Sequence, residues 1–317
     1  GSAAIEALAN RKNIDVFILY PASGPSDVQR KQMTCVNAPN VHVLAIDGTF
    51  DDCQAIVKAL FADDKIRKVW NPTTVNSINV LRILAQIVYY FAAALKVEGR
   101  PSFVVPTGNF GDVFAGYAAM KCGLPVDKLV VASNSNNILT RFFASGRMEP
   151  EPVRKTFSPS MDIQISSNFE RLLFDLCDCD GARVRALMED LKTKGEFTVS
   201  PRQLELARKV FSAGFATDEE TLETIADTHK KYGVILDPHT AVGVKVARKL
   251  KPALSGPVVF LATAHPAKFP ETIKRALGFT PPVPPRIAAL AHKPERMTLL
   301  PANVQKVSKF IEERRTK

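Results

Sequence analysis

The sequence predicts an α/β protein in which parallel open sheets are covered by helices. Short, almost wholly apolar runs alternate with segments whose apolar residues recur at helical spacing. Parallel strands need a crossover connection, usually a helix, and this alternation supplies one after each strand. The length of 317 residues corresponds to about two domains. With 46% apolar and 23% charged residues, the composition is that of a globular chain, not of a disordered one.

The predicted strands are runs of β-branched, aromatic and other apolar residues that end at turn residues. The first is almost continuously apolar and stops at Pro21, as expected for a strand buried on both faces. The second stops at Asp47 and Gly48. In chain order, the predicted strands cover residues 14–20, 41–46, 102–105, 129–132 and 258–261.

The predicted helices fill the intervals between these strands. A capping box at residues 26–29 begins a short helix, and apolar residues at helical spacing predict longer ones. Between residues 169 and 250 the pattern is almost entirely helical, which predicts a helical insertion. Residues 281–285 contain four prolines and form an extended connector. The other predicted helices cover residues 50–62, about 77–97, 112–121 and 300–315.

The charge pattern favours a basic enzyme. The formal net charge is +10, but the excess of lysine and arginine is scattered along the chain. An anionic substrate or a nucleic-acid surface is the alternative. No run of 18 apolar residues occurs, since the longest candidate, residues 80–95, is interrupted by Arg82, Gln86 and two tyrosines. We therefore expect no membrane-spanning segment and no nucleic-acid or membrane partner.

The five cysteines form an odd set without the spacing of a disulfide framework or a metal site. They are Cys35, Cys53, Cys122, Cys177 and Cys179. The chain also begins without a charged and then apolar signal segment. We expect free thiols, a reducing cytoplasm and no bound metal. Asp175, Asp178 and Asp180 are interpreted as a solvated helix end and not as metal ligands.

The turn after the third predicted strand is a candidate anion site. Residues 106–112 (PTGNFGD) lead from that strand directly into a helix. Gly108 and Gly111 allow a tight turn, and the helix directs unpaired N–H groups and the positive end of its dipole to the same place. The Walker and G-x-G-x-x-G patterns are absent, which disfavours nucleotide binding. On these residues alone, a structural turn with a glycine cap is an equal alternative.

Polar amides and hydroxyls also follow other predicted strands. Residues 133–137 (SNSNN) follow the fourth strand, residues 262–268 (ATAHPAK) follow the fifth, and residues 76–79 (NSIN) precede the long helix. Ligands bind beyond the carboxyl ends of parallel strands, so these runs predict a hydrogen-bonding site without paired carboxylates. Caps and turns are the alternative interpretation. His239 is interpreted as a helix cap or core residue, and His265 as the better functional candidate.

Six segments, taken in order, resemble the threonine synthase family. Its members are pyridoxal-phosphate (PLP) enzymes with the tryptophan-synthase-β-like fold, fold type II. The resemblance runs along the whole chain and is to the longer, bacterial and fungal branch. The segments are residues 76–79 (NSIN), 106–112 (PTGNFGD), 134–143 (NSNNILTRFF), 158–172 (SPSMDIQISSNFERL), 237–243 (DPHTAVG) and 263–269 (TAHPAKF).

The resemblance implies a cofactor, a reaction and a set of site residues. It implies that Thr263 hydrogen-bonds the pyridine nitrogen of PLP, which a neutral hydroxyl leaves less protonated than an aspartate would. The implied reaction is the last step of threonine biosynthesis, from O-phospho-L-homoserine and water to L-threonine and phosphate. The implied phosphate-binding residues are Gly108, Asn109, Phe110, Gly111 and Asp112. The implied substrate contacts are Asn76, Ser77, Asn79, Arg82, Ser160 and Arg171.

The resemblance further implies that the chain lacks the N-terminal segment of the family. The Schiff-base lysine of the family would precede Gly1, and Lys268 is not its counterpart. We therefore expect a truncated fold that by itself forms no threonine. Residues 1–98 are expected to form the remainder of the smaller α/β domain and the connecting long helix. Residues 99–317 are expected to form the larger cofactor-binding domain, with the helical insertion at about 169–250 and a C-terminal helix.

Two alternatives to a threonine synthase stay open at this level. One is a threonine-synthase-like PLP phospholyase that acts on phosphorylated amino acids. The other is a non-catalytic interaction protein that keeps the fold. A lysine in the expected upstream segment would favour catalysis, and a substituted one would favour the interaction protein. We expect a small-molecule substrate and a cytoplasmic protein, with a monomer favoured over an oligomer.

Overall fold

The computed structural model describes residues 2–23, 25, 27–75 and 79–316. Within these residues, nine strands form two parallel sheets and one short antiparallel pair. The strands are β1 (Val16–Pro21), β2 (Val41–Asp47), β3 (Ser102–Pro106), β4 (Leu129–Ser133), β5 (Arg147–Met148), β6 (Phe197–Thr198), β7 (Phe211–Phe215), β8 (Val258–Phe260) and β9 (Thr298–Pro301).

Fifteen α-helices lie in the same described part of the chain. They are α1 (Ser2–Leu8), α2 (Asp27–Thr34), α3 (Phe50–Ala62), α4 (Asp64–Trp70), α5 (Val80–Ala94), α6 (Gly111–Lys121), α7 (Ile138–Ser145), α8 (Phe169–Leu176), α9 (Gly181–Lys194), α10 (Pro201–Val210), α11 (Asp218–Tyr232), α12 (Pro238–Leu250), α13 (Pro270–Leu277), α14 (Pro285–Ala288) and α15 (Val304–Arg314). Short 3₁₀ helices span Pro159–Met161, Lys251–Ala253 and Pro266–Lys268.

The chain divides into two compact units. Unit 1 comprises residues 1–75 and 282–317, and unit 2 comprises residues 76–281. This division differs from the predicted one, 1–98 and 99–317, in two places. Helix α5 belongs to unit 2 because its Tyr90 packs on Phe103 of β3. The C-terminal segment belongs to unit 1 because β9 pairs with β2.

Unit 1 is built on the parallel sheet β1-β2-β9. The central strand β2 is buried from Val43 to Ile46, whereas β1, which the sequence predicts to be buried on both faces, is fully buried only at Val16 and Tyr20. Helices α3 and α15 cover one face, where Ile56 and Phe310 pack with the strand. The sequence predicts a single helix over residues 300–315, which is wrong at its start. Leu300 and Pro301 instead end strand β9, which pairs with β2, and Asn303 caps the start of α15.

His42 lies in β2, within the core of unit 1. Its ring stacks on Phe17 at a centroid distance of 4.8 Å and meets the edge of Phe310 at 6.5 Å. Among the described residues, no hydrogen-bond partner reaches its buried Nε2. Burial lowers the pKa of His42 from its ordinary value of 6.5, an effect that Asp15 opposes. The imidazole is therefore held neutral in an apolar setting.

We expect the stability of the chain to fall as the pH falls below 6.5, because the unfolded His42 takes up a proton there and the folded one resists it. The loss is at most about 1.4 kcal/mol per pH unit for one such group. Urea unfolding at pH 7.5 and at pH 5.5 measures it. His42→Phe keeps the stacked ring and should flatten this dependence, whereas His292→Phe, at an exposed position, should not. An unchanged pH dependence in His42→Phe would contradict the assignment.

Unit 2 is built on the parallel sheet β7-β4-β3-β8. Every residue of β3 and β4 is buried, in agreement with the apolar runs that predict them. One face carries Val104 and Val130, which pack on Val242 and Val246 of α12. The other face, which includes Phe103, packs on α5, α6 and α7. The sheet therefore lies between two layers of helices, and the carboxyl ends of β3 and β8 share one edge.

Two predicted elements of unit 2 differ from the structure. The predicted helical insertion over 169–250 contains helices α8 to α12, but it also contains β7, the edge strand beside β4. Its sequence FSAGF has no β-branched residue, so only pairing with β4 makes it a strand. Helix α5 begins at Val80 and ends at Ala94, inside the predicted limits of about 77–97. The capping box at 26–29 is not tested, because residue 26 lies outside the described residues.

No helix in the described ranges has both the length and the apolar character that crossing a bilayer requires.

Candidate functional site

A cavity of about 620 Å³ lies at the carboxyl ends of β3 and β8. This volume is within the range of small-molecule sites, which in parallel sheets occur at this edge. The residues that line it are Arg82, Gln86, Tyr89, Ala93, Pro106, Thr107, Gly108, Asn109, Phe110, Gly111, Asp112, Ser160, Met161, His239, Val259, Phe260, Leu261, Ala262, Thr263 and Ala264. All of them belong to unit 2.

The turn between β3 and α6 is held in an unusual backbone conformation. Phe110, the residue before α6, has φ of 63°, in the left-handed region. A bulky side chain in that region is a true outlier and costs about 1–3 kcal/mol. Its ring is 1% exposed and packs on Phe169 at 5.1 Å and on Phe211 at 5.6 Å. The aromatic core thus offsets the strain and fixes the turn.

The carbonyl groups of this turn face a neighbouring segment. Ser166 Oγ donates to the Gly108 carbonyl at 2.6 Å, and Asn168 N donates to the Asn109 carbonyl at 3.1 Å. In a trans peptide the following N–H points the opposite way, so the N–H groups of Asn109 and Phe110 face away from residues 166–168.

The next backbone donors belong to the start of α6. Among the described residues, the first N–H of this helix with an acceptor is that of Phe114, which donates to the Phe110 carbonyl at 3.0 Å. The preceding N–H groups are those that a helix N-terminus leaves without a helical acceptor. The turn therefore presents a row of backbone donors and the positive end of the helix dipole, which together suit a phosphate group.

The two glycines of the turn are needed for packing within the protein. A Cβ on Gly108 would lie 2.8 Å from the Ser160 carbonyl oxygen and 3.2 Å from Met161 Cα. A Cβ on Gly111 would lie 3.2 Å from Asn168 Nδ2. The sequence predicts that these glycines allow a tight turn. The structure adds that they also let another backbone segment approach the turn.

Asp112 is tied to helix α5 by two tyrosines. The hydroxyl of Tyr89 donates to the carboxyl of Asp112, and the hydroxyl of Tyr90 lies 3.1 Å from the same oxygen and 2.8 Å from the Asp112 carbonyl. Burial raises the pKa of Asp112, although the two hydroxyls oppose the shift. Burial and the carboxyl raise the pKa of both tyrosines, so the hydroxyls stay protonated and remain donors. The side chain of Asp112 thus anchors α6, and its backbone serves the turn.

The residues implied by the resemblance divide into two groups. Arg82, Ser160 and Thr263 line the same cavity as the turn. Asn79 does not line it and caps α5, where its Oδ1 accepts from Leu81 N at 3.0 Å. Arg171 lies behind the turn, where its Nε donates to Asn168 Oδ1 at 3.0 Å. Two further implied contacts, Asn76 and Ser77, lie outside the described residues.

The polar run after β4 has a structural role in place of the predicted ligand role. Asn134 Nδ2 and Asn136 Nδ2 donate to Asp162 Oδ1 at 2.8 Å and 3.0 Å. Thr156 donates to the same carboxyl through its hydroxyl at 2.6 Å and its N–H at 3.0 Å. Both asparagines are buried. This network, Asn134–Asn136–Thr156–Asp162, joins the end of β4 to the loop before α8.

The two histidines lie in different settings. His265 is exposed and caps a 3₁₀ helix, with its Nδ1 accepting from Ala267 N at 3.1 Å. His239 is buried and lines the cavity. Its burial agrees with the predicted core role, but sequence spacing could not reveal its place in the cavity wall.

Helix α5 contributes a stripe of polar residues to the cavity wall. Arg82, Gln86 and Tyr89 recur at helical spacing on the otherwise apolar helix α5, so the sequence alone could have predicted this stripe. None of the described lining residues is a lysine. The described residues also contain no group of three or more histidine, cysteine, aspartate or glutamate side chains arranged for a metal ion. All five cysteines carry free thiols.

The chain matches two families of known proteins. Residues 1–190 match the family "Pyridoxal-phosphate dependent enzyme", and residues 240–311 match "Threonine synthase, C-terminal". It is 49% identical to the threonine synthase of Pseudomonas aeruginosa over 316 residues, 98% of the chain and 67% of that protein. The chain therefore spans about two thirds of the length of such relatives.

Solved structures agree with these matches. The PLP-bound threonine synthase of Brucella melitensis superposes with a TM-score of 0.93 at 48% identity, covering 100% of the chain and 68% of that protein. The yeast threonine synthase superposes with a TM-score of 0.90 at 42% identity, covering 99% of the chain and 67% of that protein. The predicted fold class and the resemblance are confirmed. The chain belongs to the threonine synthase family of pyridoxal-phosphate dependent enzymes.

Proposed function

We propose that this chain carries the cofactor site of a threonine synthase, which converts O-phospho-L-homoserine and water to L-threonine and phosphate. One observation supports this above the others. The donor-rich turn at residues 108–112 and the hydroxyl of Thr263 line one cavity. They are the two kinds of group that PLP needs, one for its phosphate and one for its ring nitrogen.

The proposed phosphate contacts are backbone N–H groups of Asn109, Phe110, Gly111 and Asp112. They require no side chain, and the left-handed Phe110 holds them in place before a ligand arrives. Thr263 would hydrogen-bond the pyridine nitrogen as a neutral group. When bound, PLP withdraws electrons from the carbon next to the amino group of an amino-acid substrate. The residues of this chain orient the ring for that chemistry.

The proposed substrate contacts inside the cavity are Arg82 and Ser160. Arg82 is the only arginine or lysine among the described lining residues, and the substrate carries a carboxylate and a phosphate. A guanidinium binds either group through paired hydrogen bonds and stabilises the charge on a departing phosphate. Asn79 and Arg171 would act through the elements that they hold, because they do not line the cavity.

The setting that we propose is the cytoplasm, with a small-molecule substrate, no nucleic-acid or membrane partner, and a monomer. The five free thiols support a reducing compartment. The scattered distribution of the +10 net charge supports a protein without a polyanion-binding face.

Replacing Thr263 with valine tests the cofactor site. We expect PLP binding, measured by equilibrium dialysis, to weaken by up to about tenfold, since one neutral hydrogen bond contributes about 0.5–1.5 kcal/mol. Thr263→Ser should restore it. An assay of the same samples with O-phospho-L-homoserine tests the expectation that this chain by itself forms no threonine. Absence of PLP binding by the unmodified, folded chain would contradict the proposal.

A further inference from the structure

His239 makes two hydrogen bonds that lie on opposite sides of its ring. Its Nδ1 lies 3.1 Å from Asp237 Oδ1, and its Nε2 lies 3.3 Å from the backbone nitrogen of Ser160. The side chains of His239 and Asp237 are only 4% and 2% exposed. The ring also packs against Phe269 at a centroid distance of 5.0 Å. Little freedom is left to reorient it.

These contacts determine which nitrogen carries the hydrogen. The backbone N–H of Ser160 can only donate, so Nε2 must accept. The hydrogen of the neutral ring is then on Nδ1, from which it is donated to Asp237. Burial raises the pKa of Asp237, but hydrogen bonds from His239 and Thr240 outweigh this and lower it, so the carboxylate stays a strong acceptor. Asp237 thereby selects the tautomer.

Ser160 connects this pair to the phosphate-binding turn. Its carbonyl oxygen is the atom that a Cβ on Gly108 would meet at 2.8 Å, so the two backbones are in close contact. Ser160 also lines the cavity. A displacement of its backbone would therefore move one wall of the cavity and press on the turn.

We infer that His239 is a positioning residue, which in its Nδ1–H tautomer, selected by Asp237, holds the Ser160 backbone against Gly108 and so shapes the site for the cofactor phosphate. This inference rests on the proposed function, because it assigns the wall to a PLP site. The hydrogen-bond pattern itself does not depend on the ligand.

Two substitutions of His239 separate the contribution of Nε2 from that of Nδ1. His239→Gln places an acceptor oxygen near the position of Nε2 and should keep PLP affinity within about threefold. His239→Asn keeps a donor for Asp237 but does not reach Ser160, and it should weaken PLP binding about tenfold, equivalent to one lost hydrogen bond. Asp237→Ala removes the acceptor of the Nδ1–H, together with the cap of α12, so it should resemble His239→Asn in PLP affinity. Equilibrium dialysis with PLP measures all three, and thermal unfolding checks that each variant folds.

Nitrogen-15 NMR of the imidazole gives a readout that a merely structural role would not produce. We expect a protonated Nδ1 and an unprotonated Nε2 in the wild-type chain. A proton on Nε2 in the wild type would overturn the inference. The inference would also be overturned if folded His239→Asn bound PLP as tightly as the wild type. If the folded wild-type chain does not bind PLP, the proposed function is contradicted. The NMR measurement would still test the hydrogen bonds of His239, because it does not depend on the ligand.

Discussion

Replacing Gly108 with alanine is expected to weaken PLP binding at least about 100-fold, since two or more charge-assisted hydrogen bonds of about 1.5–3 kcal/mol each are at risk. The added Cβ would lie 2.8 Å from the Ser160 carbonyl oxygen, a backbone atom that cannot rotate away. Either residues 158–161 or the turn must move. In both cases the row of N–H groups loses its alignment with the phosphate. Equilibrium dialysis with PLP measures the effect.

Gly181→Ala is the matched control. A Cβ at this position, in the first turn of α9, meets no described atom within 4 Å. We expect unchanged PLP affinity and, because alanine is the better helix former, equal or slightly higher stability. If folded Gly108→Ala bound PLP as tightly as the wild type, residues 106–112 would be a structural turn and not a phosphate site.

Replacing Asp162 with alanine is expected to destabilise the chain by about 2–4 kcal/mol, because donors that are buried or half-buried lose a carboxyl acceptor. The donors are the side-chain amides of Asn134 and Asn136 and both polar groups of Thr156. This is a large fraction of the usual stability of a folded protein, about 5–15 kcal/mol. Urea unfolding followed by circular dichroism measures the loss.

Two further variants serve as controls for Asp162→Ala. Asp162→Asn keeps one acceptor oxygen and should cost less than alanine. Asp190→Ala removes the partner of Lys194 in a surface ion pair of 2.8 Å and should change the free energy of unfolding by no more than about 0.5 kcal/mol. Equal effects of Asp162→Ala and Asp190→Ala would show that the buried network is not a determinant of stability.

The turn at residues 106–112 was predictable because its signals are local. A strand, two glycines and a helix start follow one another within seven residues, and each acts on its own neighbours. The contact between His239 and Ser160 spans 79 residues of sequence and leaves no such signal. The sequence left a ligand role and a structural role open for Asn134 and Asn136 for the same reason, since their partner Asp162 lies in another segment.

Strand predictions followed the same rule. Residues 103–105 of β3 and 129–132 of β4 are all apolar, which is the composition of strands buried on both faces. Strand β7 is as long as β3 and β4 but has no β-branched residue, and β9 has four residues. Each of them is a strand through its backbone pairing, with β4 or with β2. The mean composition of such a segment carries little information about its pairing.

The sequence by itself determined the alternation of strands and helices, the place of the turn and the family, because these depend on side chains close together in the chain. The tertiary structure alone decided which residues meet at the cavity, which strands complete each sheet and which unit the C-terminal segment joins. The physical reason is that local preferences amount to fractions of a kcal/mol per residue, whereas burial and long-range pairing select among the arrangements that those preferences leave open.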